Sequence, residues 1–294
     1  MKRKMWLARF LTYEDAKIIV KGLKLKSISE WNKKYYELIK LQNIKIPRNP
    51  NRFYKDGWEG WGEWLGTNNL PGGVRKYSIN HNYFKEWSPN MAYILGFWFA
   101  DGCISGKRIF TIKLHKKDKY LLEKIMNEMG SNKPLYSVCD KYYCLNIRSK
   151  DIYEDIVKLG GKERKSLDIE FPIVPQKYMS YFIRGLWDGD GSIFLAYKRK
   201  YYKSSYTCGS KLFLEGLKNA LCNNIPNINP KIYERKNKLS ENKYYNMVLC
   251  ANGTRMLKGF IYNDNNDLKL ERKYTKFMES GNINPRFTRN QKTI

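Results

Sequence analysis

The chain has 294 residues, 42% apolar and 15% aromatic, which suits one large domain or two to three smaller ones with well-formed cores. Its 55 Lys and Arg residues against 28 acidic residues give a formal charge of +27, a field that attracts polyanions and favours nucleic acid as the partner. No C-x-x-C pair and only two histidines occur, which disfavours a structural zinc site, and no apolar run reaches the about 20 residues of a membrane span. We expect a folded, intracellular protein whose six cysteines are reduced; an AT-rich genome would also favour part of this Lys-rich composition.

The N-terminal segment predicts a small helical domain that is rich in tryptophan. Residues 12–42 space their apolar positions as a helix does, and Thr12 and Ser27 offer capping patterns. Trp58, Trp61 and Trp64 then follow at steps of three. We interpret them as anchors of a small core in preference to base-stacking residues. A turn-rich segment at 68–73 predicts a linker, so the first domain is placed at 1–75.

This segment resembles a short repeat unit found in some phage-integrase-like and algal or viral proteins. The residues that carry the resemblance are 22–27, Glu30-Trp31, Ile46-Pro47, Asn49-Pro50, Tyr54-Lys55 and 57–67. The resemblance implies an accessory, DNA-associated module. The segment before residue 88 holds 18 basic and 8 acidic residues, a formal +10, and the remainder carries +17.

Two similar apolar segments are predicted to form a packed pair of helices. Residues 91–100 follow the helix-starting pair Ser88-Pro89 and are apolar nearly all round, and residues 181–191 repeat the same plan 89 residues later. Small residues four apart give each helix a flat face on which the backbone of the other can approach closely. The predicted interface residues are Gly96, Ala100, Gly185 and Gly189.

Each of these helices is expected to end in an acid followed by a glycine. Asp101-Gly102 and Asp190-Gly191 would place a carboxylate in the last turn, with the glycine in a left-handed cap. A carboxylate at the negative end of the helix dipole is unfavourable without a cation, and two side by side repel each other. The pattern therefore predicts a site for divalent metal ions, which can activate water and neutralise the leaving oxygen of a phosphodiester.

These two segments look like the paired motifs of a single-chain LAGLIDADG homing endonuclease, a resemblance that extends over about residues 83–277. It implies an α+β fold in which two pseudo-symmetric αββαββα halves, at 76–176 and 177–294, form a DNA-binding saddle. The expected activity is Mg²⁺-dependent hydrolysis of both strands of a long, specific duplex by a monomer. Such enzymes leave short 3′ overhangs, and their usual role is to copy their own gene into an allele that lacks it.

The resemblance also assigns roles to individual residues. The eighth motif position, which carries the catalytic acid and metal ligand, falls on Asp101 and Asp190, and the preceding Ala100 and Gly189 are included in the metal site. The sixth position holds Phe99 in one copy and Asp188 in the other, so we assign Asp188 a structural or outer role. The tetrapeptides Glu163-Arg164-Lys165-Ser166 and Glu271-Arg272-Lys273-Tyr274 close the halves. Lys165 and Lys273 are the candidates for stabilising the charged transition state; the alternative is a solvated basic turn.

Alternating strand patterns follow each motif helix, at 110–114 and 142–147 in the first half and near 192–197, 204–208, 232 and 244–249 in the second. Outward-facing side chains on these strands are expected to contact bases. The candidates are Lys107, Arg108, Thr111, Lys113, Arg148, Lys198, Lys200, Tyr202, Lys203, Tyr206, Lys231, Tyr233, Arg235 and Asn246. A register error of one residue would exchange the contacting set for the core set.

Two alternatives use the same scaffold. An RNA maturase would bind structured intron RNA on the same basic surface, and a non-cleaving regulator would bind DNA without needing both acids. The retention of both acids favours cleavage over the regulator. A self-splicing intein is disfavoured because the chain has no Cys or Ser start and no terminal His-Asn pair followed by a nucleophile.

Overall fold

The computed structural model describes residues 10–67, 77–196, 201–236 and 243–282. The chain divides into two compact units, Met1–Lys76 and Tyr77–Ile294. The linker predicted at 68–73 lies outside the described residues. Among the described helices, none has both the length and the apolar composition needed to cross a membrane.

The first unit is helical, as predicted. Its elements are α1 (Tyr13–Gly22), α2 (Ile28–Tyr35), a π-helical turn (Tyr36–Lys40), α3 (Pro50–Phe53) and α4 (Trp61–Leu65). The Thr12 and Ser27 hydroxyls accept hydrogen bonds from the backbone N–H groups of Asp15 and Glu30, so each of the first two helices starts at its predicted cap.

Aromatic packing holds this unit together. Trp31 and Trp64 are fully buried, and Tyr13 stacks on Trp64 at 5.7 Å between ring centroids. Trp58 and Trp61 pack on the same core and remain partly exposed. The tryptophans therefore anchor the core, because few other large apolar side chains are available in a unit of this size.

The second unit repeats one arrangement twice. The first half contains α5 (Pro89–Asp101), β1 (Gly102–Ser105), β2 (Ile109–His115), α6 (Lys119–Glu128), β3 (Tyr136–Val138), β4 (Tyr142–Arg148) and α7 (Lys150–Lys158). The second contains α8 (Met179–Gly189), β5 (Gly191–Ala196), β6 (Tyr201–Cys208), α9 (Lys211–Asn224), β7 (Lys231–Lys236), β8 (Lys243–Leu249) and α10 (Ala251–Ile261), and α11 (Glu271–Asn282) follows.

Each half forms one antiparallel four-stranded sheet, in the orders β1-β2-β4-β3 and β5-β6-β8-β7. The identical order in both sheets and the αββαββα succession confirm the predicted α+β fold class. Along the strands, buried and exposed side chains alternate, so one face of each sheet packs on helices. A single continuous core joins both halves.

The helices α5 and α8 lie at the centre of that core, in direct backbone contact. A Cβ atom placed on Gly96 would lie 2.0 Å from the Phe182 carbonyl oxygen, and one on Gly185 would lie 2.1 Å from that of Tyr93. Near the helix ends, a Cβ on Gly189 would lie 2.3 Å from the Ala100 Cβ. The structure thus brings together the four small residues predicted to form the helix interface.

The predicted left-handed glycine caps are wrong. Gly102 has φ −94° and ψ 166°, an extended conformation that leads directly into β1, and α8 ends on Asp190 in a right-handed helical conformation. The glycines are needed for space: a Cβ on Gly102 would lie 2.1 Å from Cδ1 of Trp98, and one on Gly191 would lie 2.4 Å from Cδ1 of Trp187. Each indole packs over the junction between the motif helix and its strand.

The substitution Gly185→Ala tests the helix contact. The added methyl group would meet rigid backbone on α5, so the helices would have to separate and their core would repack. We expect a loss of about 3 kcal/mol in the free energy of unfolding, the upper end of the usual range for an overpacked core, measured by urea denaturation.

The matched control is Gly259→Ala in α10. Gly259 is exposed, and a Cβ there would have no neighbour within 4 Å. Its replacement should be neutral or stabilise the protein by roughly 0.5–1 kcal/mol. Equal effects of the two substitutions would contradict close helix packing at Gly185.

Candidate active site

Two carboxylates meet where α5 and α8 end. Asp101 is the last residue of α5, and Asp190 directly follows α8. A Cβ on Gly189 would lie 3.5 Å from Oδ2 of Asp101, so the carboxylate of one helix adjoins the backbone of the other at its end. Both acids keep contact with solvent. The packed helices thus fix two oxygen-rich side chains at one place.

The surroundings disfavour negative charge on both acids. Although Asp101 is exposed at the surface, the packed helix ends remove part of its hydration, and together with the neighbouring charge of Asp190 this raises the pKa of Asp101 to about 6. Burial also raises the pKa of Asp190. The helix ends contribute in the same direction, because the C-terminal end of a helix carries partial negative charge. A cation bound between the two acids would relieve this electrostatic cost.

A lysine caps the carbonyl oxygens at the end of each motif helix. Lys165 Nζ donates to the carbonyl oxygens of Phe99 at 2.7 Å and Ala100 at 3.1 Å. Lys273 Nζ donates to three carbonyl oxygens, at 2.6 to 2.9 Å, and these belong to Trp187, Asp188 and Gly189. The structure therefore places the two predicted lysines at equivalent positions next to the two acids.

Burial lowers the pKa of both lysines, and that of Lys273 to about 8. The charges of Asp101 and Asp190 act in the opposite direction and favour the ammonium forms. The positive charges thus balance the acids and the helix ends. Lys165 lies in a turn with exposed neighbours, but its own side chain is half-buried, and Lys273 is buried.

Asp188 lies in the interior, away from solvent. Its carboxylate accepts hydrogen bonds from the Tyr93 hydroxyl at 2.9 Å, the Tyr262 hydroxyl at 3.1 Å and the Leu270 N–H at 2.8 Å. Burial raises the pKa of Asp188 to about 6, while the Leu270 N–H and the nearby Lys273 favour its charged form. These contacts give Asp188 a structural position; sequence reasoning did not identify its hydroxyl partners, which lie 95 and 74 residues away along the chain.

The donor set at the helix ends suits a hard divalent cation, because carboxylate and carbonyl oxygens are the ligands that Mg²⁺ and Ca²⁺ prefer. The carbonyl oxygens of Ala100 and Gly189, each next to one of the acids in the chain, accept hydrogen bonds from Lys165 and Lys273. Within the described ranges, no cluster of three or more His, Cys, Asp or Glu residues could hold a metal on its own. A cation here would need ligands from outside the protein, such as water or phosphate oxygens.

Strand register shows which predicted DNA contacts lie on the open face of the sheets, since directly paired residues share a face. Outward-facing residues of the first sheet are Thr111, Lys113 and Arg148, and those of the second are Lys203, Lys231, Tyr233, Arg235 and Asn246. Lys107 and Arg108 are exposed in the turn between β1 and β2. Lys198 and Lys200 lie outside the described residues.

Two predicted contacts lie on the wrong face. Tyr206 is 1% exposed and packs against Trp187 and Phe213 in the core, so it cannot contact bases. Tyr202 also points toward the helices, and its hydroxyl donates to Glu279. In β6 the outward positions are the odd-numbered ones from Tyr201 to Thr207, because Ser204 and Tyr206 are buried.

The register also identifies outward-facing polar residues that sequence reasoning missed. These are His115, Tyr142, Asn146, Thr207 and Tyr244. Asn146 donates to the Thr111 hydroxyl at 3.2 Å across the strand pair. The alternation at Thr111 and Lys113 already predicts that His115 faces outward. The outward positions of the other four residues follow only from the strand register.

The fold and the acid pair define a class: a twice-repeated α+β protein with one acid at the end of each central helix. Residues 177–258 match the family model described as "LAGLIDADG-like domain". This match over part of the second half agrees with the LAGLIDADG resemblance found in the sequence.

One curated relative and several solved structures are similar to this chain. A stretch of 186 residues is 28% identical to the probable translation initiation factor IF-2 of Methanocaldococcus jannaschii, and it covers 60% of this chain. The match covers only 15% of that protein, so it concerns one segment of it.

Three of the similar solved structures are DNA complexes of other proteins. I-DmoI with DNA and calcium has a TM-score of 0.46 and 17% identity, covering 67% of this chain and 98% of that one. The homing endonuclease I-WcaI bound to its DNA recognition sequence has a TM-score of 0.43 and 16% identity, and the match covers 67% of this chain and 90% of that one. The meganuclease I-SmaMI bound to uncleavable DNA has a TM-score of 0.42 and 14% identity, and the match covers 66% of this chain and 89% of that one.

The raised pKa of Asp101 predicts a pH-dependent effect of Asp101→Asn on stability. Between the ordinary value of 3.8 and about 6, the folded chain binds a proton at Asp101 that the unfolded chain releases. The contribution of Asp101 to the free energy of unfolding therefore falls as pH rises through this window. In metal-free buffer, the asparagine variant should gain stability relative to the wild type between pH 4 and 7, by on the order of 1 kcal/mol after solvent screening.

The measurement is urea denaturation of both proteins at several pH values with a chelator present. Parallel pH profiles for wild type and variant would show that Asp101 has an ordinary pKa, contrary to the electrostatics described above.

Proposed function

We propose that the protein is a site-specific homing endonuclease that hydrolyses both strands of a long DNA target. The observation that carries this proposal is the pair of acids, Asp101 and Asp190, at the adjoining ends of two helices in backbone contact, each next to a capping lysine. The LAGLIDADG-like domain at 177–258 and the net charge of +27 support the same function. The chain would act as a monomer, since it contains both motifs.

In this proposal, Asp101 and Asp190 hold divalent metal, normally Mg²⁺, with the backbone of Ala100 and Gly189 completing the protein's share of the site. When bound, the metal supplies a Lewis acid that activates water and neutralises the leaving oxygen. The two carboxylates orient this chemistry because their helices fix them rigidly against each other. One acid would serve each strand of the duplex.

Lys165 and Lys273 would supply positive charge where negative charge develops on the scissile phosphates. Both ammonium groups are already fixed by helix-end carbonyl oxygens, so little reorganisation is needed when DNA binds. The same hydrogen bonds keep the lysines from pairing directly with the acids, which leaves the carboxylate oxygens available to a cation.

The open faces of the two sheets would contact the DNA. Basic and polar outward-facing residues are present on both, among them Lys113, Arg148, Lys203, Lys231 and Arg235. Phosphate contacts of the lysines would set affinity and its salt dependence, while Arg235 and Asn246 are suited to guanine and adenine edges. The exposed turn with Lys107 and Arg108 would extend this surface.

Replacement of either acid tests the catalytic assignment. Asp101→Asn and Asp190→Asn should each abolish double-strand cutting, because an amide oxygen lacks the charge that holds the cation. DNA affinity should change little, since the basic sheet faces remain. The measurement is cleavage of a randomised duplex library by the wild type with Mg²⁺ and with Ca²⁺, and then of the selected site by each variant.

The exposed Asp140 provides the control, and the Asp140→Asn variant should cut the selected DNA site at the normal rate. Specific binding without cutting by the wild type would favour a DNA-binding regulator. A preference for structured intron RNA over any duplex would favour the maturase. Loss of cutting in Asp188→Asn with full activity in Asp190→Asn would overturn the motif alignment.

The helical first unit is proposed to add non-specific DNA contacts, because the segment that contains it carries a formal +10. Deletion of residues 1–75 should weaken binding and lower the slope of log affinity against log salt, while the cut position stays the same. Binding measured at several salt concentrations tests this. An unchanged slope would show that this unit makes no phosphate contacts.

A further inference from the structure

The two helix ends are supported differently. The position that holds the buried Asp188 in α8 holds Phe99 in α5, and Phe99 packs on Phe182 and Phe213 in the core. Asp188 instead accepts the N–H of Leu270, three residues before Lys273. The second half therefore ties its lysine-bearing segment to its motif helix through a carboxylate, and the first half cannot do so with Phe99.

A second set of contacts reaches the same segment from the other half of the molecule. The two carboxylate oxygens of Asp118, 5% exposed, share the Nε–H of Arg272, at 3.1 and 3.3 Å. The Tyr120 hydroxyl accepts the N–H of Glu271 at 2.7 Å. Tyr93, also from the first half, donates to Asp188. Three residues of the first half thus hold the start of α11.

The two lysines differ in burial and in the number of hydrogen bonds that they make. Lys273 is 7% exposed and donates to three carbonyl oxygens, whereas Lys165 is half-buried and donates to two. Lys273 lies in the first turn of α11, and Lys165 lies outside any described helix. The neighbouring Glu163 is held by the exposed Tyr153 hydroxyl at 3.1 Å.

We propose that Asp118, Tyr120 and Asp188 are positioning residues that hold Lys273 at the end of α8, so that the two cleavage centres are not equivalent. This brace, formed by Asp118, Tyr120, Asp188 and the segment 270–273, contacts the segment that carries Lys273. It rests on the proposed function for its catalytic consequence. The geometric part, that the brace fixes Lys273, stands on the contacts alone.

Cleavage of one DNA strand is therefore expected to depend on the brace. A lysine that must be fixed to act on a phosphate loses effect when its supporting contacts are removed, by on the order of 10-fold for supporting residues of this kind. Because the brace does not reach Lys165, the other strand keeps its rate. Loss of the brace should turn a double-strand cutter into an enzyme that first nicks.

The test uses the double variant Asp118→Asn, Tyr120→Phe, which alters no residue of the proposed catalytic set. On a supercoiled plasmid that carries the site selected by the wild type, nicked circles should accumulate. Cleavage of one strand, always the same one, should slow on the order of 10-fold while the other stays near the wild-type rate. Tyr153→Phe near Lys165 is the matched loss of a hydroxyl and should leave both strand rates unchanged.

A second measurement needs no DNA. Reductive methylation with formaldehyde and a borane reductant, followed by peptide mass spectrometry, reports how accessible each lysine is. In the wild type, Lys273 should react much more slowly than the exposed Lys276 of the same helix. The double variant should remove most of this protection, while Tyr153→Phe should preserve it.

These two measurements distinguish a failure of the proposed function from a failure of the inference about the brace. If the wild type cuts no duplex, the proposed function fails and the methylation result alone decides whether the brace exists. Unchanged protection of Lys273 in the double variant would overturn the inference. Equal slowing of both strands would also overturn it, because a general loss of structure, visible as a lower unfolding midpoint, would then explain the effect.

Discussion

The backbone contact between α5 and α8 is the constraint on which the rest of the second unit depends. Gly96 and Gly185 allow each helix to touch the carbonyl oxygens of the other, a separation that no side chain would tolerate. This contact joins two separately folded sheets through one core. It also brings both helix ends, and therefore both acids, to the same place.

That arrangement concentrates negative charge. Two helix C-termini and two carboxylates converge, and the ammonium groups of Lys165 and Lys273 are directed at backbone oxygens. Burial raises the pKa of both acids, and the charge of Asp190 adds to the rise at Asp101. In the proposed function, a bound cation would offset this cost.

Local features of this fold could be predicted from the sequence. The caps at Thr12, Ser27 and Ser88 each start a helix where expected, because a hydroxyl three residues before a free N–H defines a helix start by itself. The small residues of the helix interface followed from their spacing of four, and the two acids from the repeat of the motif. These patterns depend on near neighbours in the chain.

Features set by distant contacts could not be predicted. The conformation of Gly102 depends on where the Trp98 indole packs, and the face of Tyr206 depends on a strand register that sequence alternation leaves open by one residue. Helix α11 was not anticipated, so Lys273 was assigned to a tetrapeptide without its supports. The partners of Asp188 lie more than 70 residues away along the chain, beyond the reach of any local pattern.

The most direct test of the central claim is to locate the cation. Crystals of the protein with a duplex selected from the library, grown with Mn²⁺, would show the metal by its anomalous scattering. We predict metal bound by the carboxylates of both Asp101 and Asp190 and in contact with the DNA backbone. Metal bound elsewhere would contradict this prediction. So would a complex in which DNA lies on the sheets while Asp101 and Asp190 contact only protein groups.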